Sequence, residues 1–80
     1  MKHARDDYNR MQDPDGKIPA DEPVFLIRGQ DTVGADTVRA WADLNERAGG
    51  DLKASMLARH HAALMDAWPT KKRCDLPREG

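Results

Sequence analysis

The sequence contains a single cysteine, Cys74, among its 80 residues. One cysteine cannot form a disulfide within the chain, and by itself it cannot build a structural zinc site. There is no apolar run of about 18 residues that could span a membrane, and the first ten residues lack the apolar stretch of a signal peptide. These absences predict a soluble protein of the reducing cytoplasm.

Large apolar side chains are also scarce, with one Phe, one Tyr, two Trp and four Met. A chain of this length buries only about 60–65% of the surface that it exposes when unfolded, which limits its stability. Charged residues make up 34% of the chain. The composition predicts one small domain over residues 1–80, with a core of about fifty residues and loose ends at 1–12 and 70–80.

The net charge is nearly balanced, at −1. A general nucleic-acid-binding protein would carry a strongly basic face, so no direct contact with nucleic acid is expected. The two signs are unevenly distributed along the chain. Residues 1–50 carry seven Lys and Arg against ten Asp and Glu, a net −3, whereas residues 51–80 carry six against four, a net +2. The front of the chain is therefore acidic and its tail is basic.

Residues 24–27, Val-Phe-Leu-Ile, are the only run of four large apolar residues. Burial of each such side chain stabilises by about 1.5–3 kcal/mol, so the run predicts a buried segment. Asp21 could cap a short helix with Pro23 in its first turn, or the run could form a strand. A strand needs a partner, and no second strand-like segment is present. The short helix is favoured, and the strand stays open as the alternative.

Two long helices are predicted downstream, at about 35–48 and 52–68. Gly49 and Gly50 end the first helix, Asp51 is a suitable N-cap for the second, and Pro69 ends that one. So short a linker permits only an antiparallel or steeply crossed pair. The predicted fold is mainly α: a small helical domain built on an antiparallel helix pair that covers the segment 24–27.

Apolar residues recur at three- and four-residue spacing in both helices, which predicts the faces that pack together. In the first helix the apolar positions are Val38, Trp41, Leu44 or Asn45, and Ala48. In the second they are Leu52, Met56, Ala63, Leu64 and Ala67, with His60 in the same stripe. Charged residues of the first helix, such as Arg39 and Glu46, are expected to point outward.

No residue pattern in the chain supports catalysis or metal binding. His60 and His61 are adjacent and lie about 100° apart on a helix, so they cannot share one ligand sphere. Cys74 follows a basic stretch that would lower its pKa, but a loose tail offers no preorganised base or oxyanion donors. We expect neither an enzyme nor a metal site, and no cofactor.

The motif Asp13-Pro14-Asp15-Gly16 superficially resembles the start of a calcium loop, since it places two carboxylates close together. The later oxygen ligands and the closing glutamate are absent. Pro presets φ for a turn and Gly supplies a residue with positive φ, so a tight turn is the preferred interpretation.

Contact with a partner protein is the remaining class of function. Between Asp6 and Glu22 the chain carries six acids against two bases, which could present a negative face to a basic groove. Arg and Trp are common interface anchors, and the basic residues 71–73 make only a weak phosphate-binding patch. The candidate partner-binding residues are Asp13, Asp15, Asp21, Glu22, Arg28 and Trp68.

Residues 14–31, PDGKIPADEPVFLIRGQD, and 35–49, ADTVRAWADLNERAG, resemble very short proteins of proteobacterial phages and mobile elements. Among these, the chain resembles the type I-C anti-CRISPR inhibitors, which bind the multisubunit Cascade surveillance complex. The resemblance implies a cytoplasmic, monomeric inhibitor in a bacterial host. It would bind the large subunit or a backbone subunit of Cascade and block recognition of target DNA. The acids between Asp6 and Glu22 add the hypothesis that it does so as a DNA mimic that occupies a basic DNA-binding surface.

A small helical regulatory protein of a phage or its host is the alternative. It would act through an apolar or Arg-rich helix face and would form stable homodimers, for example as a transcription modulator. An enzyme would instead need a pocket with convergent polar groups, which so thin a core can hardly enclose.

Overall fold

The computed structural model describes residues 1–5, 8 and 13–76. In these residues the elements are two short strands, β1 (Lys2–His3) and β2 (Pro23–Val24), followed by two helices, α1 (Gly34–Arg47) and α2 (Leu52–Ala67). The fold is mainly helical, as predicted, with the two helices packed against each other and one small strand pair. The chain divides into an N-terminal unit, Met1–Leu26 with Asp75–Gly80, and a helical unit, Ile27–Cys74.

The N-terminal unit is held mainly by backbone hydrogen bonds. Strands β1 and β2 pair in parallel, with Lys2 opposite Pro23 and His3 opposite Val24, and the terminal amino group of Met1 donates to the carbonyl of Pro19. Residues 2 and 3, in a segment expected to be loose, therefore form a strand. The other part of that segment, 6, 7 and 9–12, lies outside the described residues, as do 77–80 of the tail.

The predicted turn at residues 13–16 is confirmed. The amide of Gly16 donates to the carbonyl of Asp13 over 3.0 Å, and Gly16 has a φ of +64°. The Oδ2 of Asp13 also accepts a hydrogen bond from the amide of Ile18. Formation of the turn thus explains why Pro and Gly occur at positions 14 and 16, and it gives the carboxylate of Asp13 a structural role.

The favoured prediction of a short helix at 24–27 is wrong. Val24 lies in β2, residues 25–28 have no regular structure, and the side chain of Phe25 is 77% exposed. Only Ile27 of the run packs against the helix core. The strand alternative for 24–27 holds for Val24 alone, because β1 pairs with Pro23–Val24 from a segment whose side chains, Lys and His, give no strand signal.

The helix ends follow the capping residues. The prediction of 35–48 and 52–68 is accurate to one residue at each boundary. The carboxylate of Asp51 accepts hydrogen bonds from the amides of Lys53, over 2.7 Å, and Ala54, over 3.3 Å. Gly49 has a φ of +78°, which closes α1. Pro69 follows the C-cap residue Trp68.

The interface between α1 and α2 is built from small residues. Ala42, Ser55 and Ala62 are fully buried, and the hydrophobic core consists of Ala35, Ala62 and Met65 with Ile27 and Val38 packed on it. The hydroxyl of Ser55 donates to the carbonyl of Ala42 across the helix pair. Small side chains allow the helix axes to approach closely, so the larger side chains lie outside this interface.

The predicted apolar face of α2 is therefore wrong. Leu52, Met56 and Leu64 are 64%, 67% and 55% exposed, and Ser55, Ala58, Ala62 and Met65 face α1 instead. In α1, Asn45 rather than Leu44 faces the partner helix, since its amide donates to the hydroxyl of Ser55 over 2.9 Å. The hydrogen bonds of Ser55 and Asn45 give the interface its register.

The chain after α2 returns to the segment that precedes α1. The amide of Lys72 donates to the carbonyl of Gln30, and the amide of Thr32 donates to the carbonyl of Lys72. The Nζ of Lys71 donates to the carbonyls of Gly29 and Met65, which places a cation at the C-terminal end of α2. Residues 71 and 72, expected to be loose, fasten the open end of the helix pair.

Candidate protein-binding surface

One side of the helix pair carries the ion pairs, which we call the charged side. Arg39 of α1 lies 2.8 Å from Asp66 of α2 and 2.8 Å from Asp36. Arg59 of α2 reaches back to Asp43 over 2.8 Å and to Glu46. An early residue of α1 pairs with a late residue of α2, so the helices are antiparallel, as predicted.

Hydrogen bonds on the charged side shift the pKa values of their partners. The bond from Arg39 lowers the pKa of Asp66 below its ordinary value, and the bond from Arg59 lowers the pKa of Glu46. Both carboxylates are thus held in the charged form. The expectation that Arg39 and Glu46 simply point outward missed this role, since both lie at the edge of the helix interface.

The opposite side of the helix pair is apolar. At 100° per residue, Trp41 of α1 lies on this side, together with Leu57, His61, Leu64 and Trp68, which follow one another at four, three and four residues along α2 and its C-cap. Trp41 is 49% exposed, Leu57 69%, Leu64 55% and Trp68 55%. We call these five residues the apolar side.

Charged residues are few on this side of the two described helices and their C-caps. The neighbouring helical positions are 38, 45 and 48 of the first helix and 53, 54, 58 and 65 of the second; of these only Lys53, four residues before Leu57, is charged. The ion pairs of the two described helices thus lie on the charged side, where Leu52 and Met56 of α2 are also exposed.

A groove marks one end of the apolar side. It has a volume of about 360 Å³ and is lined by Arg28, Gly29, Gln30, His61, Leu64, Met65 and Trp68. The Cα of Met65 and the Cβ of Trp68 lie about 3.6 Å from where a Cβ on Gly29 would be. The loop before α1 therefore rests directly on the last turns of α2, and Lys71 holds it there.

The predicted partner-binding residues fall into two groups. Arg28 and Trp68, forty residues apart in sequence, line the same groove. The four acids, Asp13, Asp15, Asp21 and Glu22, belong to the N-terminal unit. Asp15, Asp21 and Glu22 are exposed, and Asp13 is half-buried at its turn. Asp6 and Asp7, the remaining carboxylates of the acidic segment, lie outside the described residues.

The residues that the sequence raised as candidates for catalysis or metal binding do not come together in one site. His60 and His61 are both exposed on α2, and Cys74 is exposed after it. Within residues 1–5, 8 and 13–76, no three His, Cys, Asp or Glu side chains lie close enough together to hold a metal ion.

Sequence reasoning missed Trp41, Leu57 and Leu64 as candidate contact residues, because Trp41 and Leu64 were assigned to the helix interface. The usable signal was the abundance of Ala and Ser in both helices. Small residues at 35, 42, 55, 58 and 62 already recur at helical spacing and satisfy the interface without the large ones.

The fold and this surface define a small antiparallel helix pair with one charged and one apolar side. Comparisons with known protein families, with curated proteins and with solved structures found no match for the chain. Neither helix described here has the length and the hydropathy needed to cross a membrane.

Proposed function

We propose that this chain acts by binding another protein chain through its apolar side, without catalysing a reaction and without a cofactor. The observation that carries this proposal is the grouping of Trp41, Leu57, Leu64 and Trp68, each about half exposed or more, on a side of the helix pair whose one charged helical residue is Lys53. Single exposed apolar residues are normal, whereas a contiguous group marks an interaction site.

The residue types on the apolar side suit an interface. Trp is the residue most enriched among those that dominate binding energy, and Arg28 at the groove is another preferred type. Burial of the exposed 69% of Leu57 would stabilise a complex by about 1–2 kcal/mol. The charged groups of the charged side already pair with one another within the chain. A partner would therefore gain much less binding free energy by contacting them.

A site-specific photo-crosslink tests this proposal. A benzophenone side chain replaces Leu57, on the apolar side, or Arg47, exposed near the end of α1 and away from that side. We expect irradiation in proteobacterial cells to give a defined protein adduct from position 57 and none from position 47. Equal adducts from both positions, or none from position 57, would contradict a contact surface there.

Inhibition of a type I-C Cascade complex is the second candidate function. The exposure of Asp15, Asp21 and Glu22 in the N-terminal unit favours it, since carboxylates can occupy a groove that otherwise binds DNA phosphates. The resemblance to type I-C anti-CRISPR inhibitors points to the same partner. In this form of the proposal, the acids steer the chain to a basic surface and the chain blocks target DNA.

Purified type I-C Cascade tests this second candidate in a pull-down with a gel shift of its target DNA. We expect co-purification and loss of the DNA shift. Neutralising Asp13, Asp15, Asp21 and Glu22 to Asn or Gln should weaken binding and flatten its salt dependence. Asp36→Asn, which removes an exposed carboxylate of the helical unit, is the control. Inhibition that survives the fourfold change would refute DNA mimicry, and absence of co-purification would refute this candidate altogether.

A further inference from the structure

We infer that the occupant of the apolar side is a second copy of this chain, so that the helical unit forms a symmetric dimer with two helices from each copy. This inference rests on the proposed function and names the partner of the same surface. Three properties of the helical unit support it: the size of the apolar side, its low content of charge and the thinness of the core beneath it.

The size of the apolar side fits a dimer interface. At about 200 Å² for each fully exposed large side chain, the exposures of Trp41, Leu57, Leu64 and Trp68 amount to roughly 450 Å² of apolar surface. Homodimer interfaces are about 65% apolar, so this area corresponds to roughly 700 Å² on each partner. A standard interface buries about 800 Å² on each side.

The charge distribution of the apolar side favours a partner whose own contact surface is also poor in charge. A partner with acidic or basic groups facing the apolar side would have to lose their hydration with no opposite charge to pair with. A second copy presents the same largely uncharged helical positions, with Lys53 near the start of α2 and Arg28 at the end of the groove. A two-fold axis brings this surface against itself with no like charges in its centre, and such self-complementary contacts are the commonest oligomeric interface.

The core of the helical unit is thin for an independent domain. Only Ala35, Ala62 and Met65 form its buried cluster, with Ile27 and Val38 at the edge. Small domains are usually reinforced by disulfides, a metal or oligomerisation. One cysteine excludes an internal disulfide, and no metal-binding group occurs among residues 1–5, 8 and 13–76. Oligomerisation is the reinforcement that the surface of this unit can provide.

The composition of α2 agrees with a position in the middle of the dimer, between α1 and the second copy. It has only three Lys, Arg, Asp or Glu residues in sixteen, Lys53, Arg59 and Asp66, and its exposed residues are largely apolar. A helix that is apolar around most of its circumference is usually buried. In the dimer, α2 packs on α1 through its small residues and on the second copy through Leu57, Leu64 and Trp68.

Analytical ultracentrifugation of the full chain over a wide concentration range tests the inference. We expect a dimer that dissociates on dilution, with association weakened about 100-fold or more by Leu57→Glu, since the substitution acts twice in a symmetric interface. Met56→Glu is the matched control, because Met56 is 67% exposed against 69% for Leu57 and lies 100° away on the same helix. It should leave the association within a few-fold of the wild type.

A folded wild-type chain that stays monomeric at all concentrations would overturn the inference, as would a dimer that Leu57→Glu and Met56→Glu weaken equally. If Leu57→Glu fails to fold by circular dichroism, photo-crosslinking of purified protein with benzophenone at position 57 or 56 replaces it. We expect a covalent dimer from position 57 only, and any other pattern overturns the inference. A monomer that still forms adducts with another protein in cells would refute the dimer and leave the proposed function standing.

Discussion

At the scale of single residues, close contacts explain why certain positions carry glycine. Gly34 begins α1 and is buried, and a Cβ at this position would lie 2.7 Å from the carbonyl oxygen of Arg28 and 3.1 Å from Ile27. A Cβ on Gly29 would meet its nearest neighbours at 3.6 Å, an ordinary contact. Packing therefore requires glycine at position 34, at the start of α1, and does not require it at position 29 in the preceding loop.

Gly34→Ala should lower the free energy of unfolding by about 1–2 kcal/mol. The backbone carbonyl of Arg28 cannot move aside freely, so overpacking outweighs the better helix propensity of alanine. Gly29→Ala, the control, should change stability by less than about 1 kcal/mol. Urea unfolding followed by circular dichroism measures both variants. Equal stability of the two would show that the loop does not approach α1 as closely as described.

The residue scale also shows where prediction from sequence succeeds. The N-cap Asp51, the left-handed Gly49 and the turn ending at Gly16 depend on bonds within a few residues, and all three were predictable. The pairing of Lys2–His3 with Pro23–Val24 was not, because it joins backbone groups twenty-one residues apart that have no side-chain signature.

At the scale of elements, the helix pair is joined by small residues inside and by ion pairs along one edge. Prediction of the helices succeeded because their caps and periodicity are local. Prediction of the face of α2 failed because apolar residues lie on most of its circumference, so spacing alone selects no unique face. The hydrogen bonds of Ser55 with Ala42 and Asn45 decide which face is inside.

The ion pairs predict a pH dependence of stability. The folded-state pKa values of Asp66 and Glu46 are lowered, so their stabilising contribution is complete above the ordinary values of 3.8 and 4.5 and is lost as the pH falls through the lower folded-state values. Thermal unfolding should show Asp66→Asn with Glu46→Gln less stable than the wild type at neutral pH. The difference should shrink toward zero in strong acid.

Asp15→Asn, which removes an exposed carboxylate of the N-terminal unit that has no ion pair with Arg39 or Arg59, is the control and should unfold close to the wild type at neutral pH. The salt dependence of the wild type at neutral pH gives a second check, because added salt screens exposed pairs. A stability difference between the double variant and the wild type that is the same at neutral and acidic pH would mean that these bonds contribute nothing through charge.

At the scale of the whole chain, the two units offer different surfaces. The N-terminal unit presents the acids on which the Cascade hypothesis depends, and the helical unit presents the apolar side. Sequence reasoning found Arg28 and Trp68 by residue type, and the fold brings both to one groove. From the sequence, the inhibitor hypothesis predicts a monomer and the regulatory alternative predicts a homodimer. The exposed apolar side of the helical unit favours the second of these.

Tryptophan fluorescence measures most directly whether a second copy covers the apolar side, since Trp41 and Trp68 are the only tryptophans in the sequence and both lie on that side. Acrylamide quenching of the purified chain should be weak at high concentration, where a second copy covers both rings, and should rise on dilution. Leu57→Glu should be strongly quenched throughout. Strong quenching of the folded wild type that does not change with concentration would contradict an apolar side closed by a second copy.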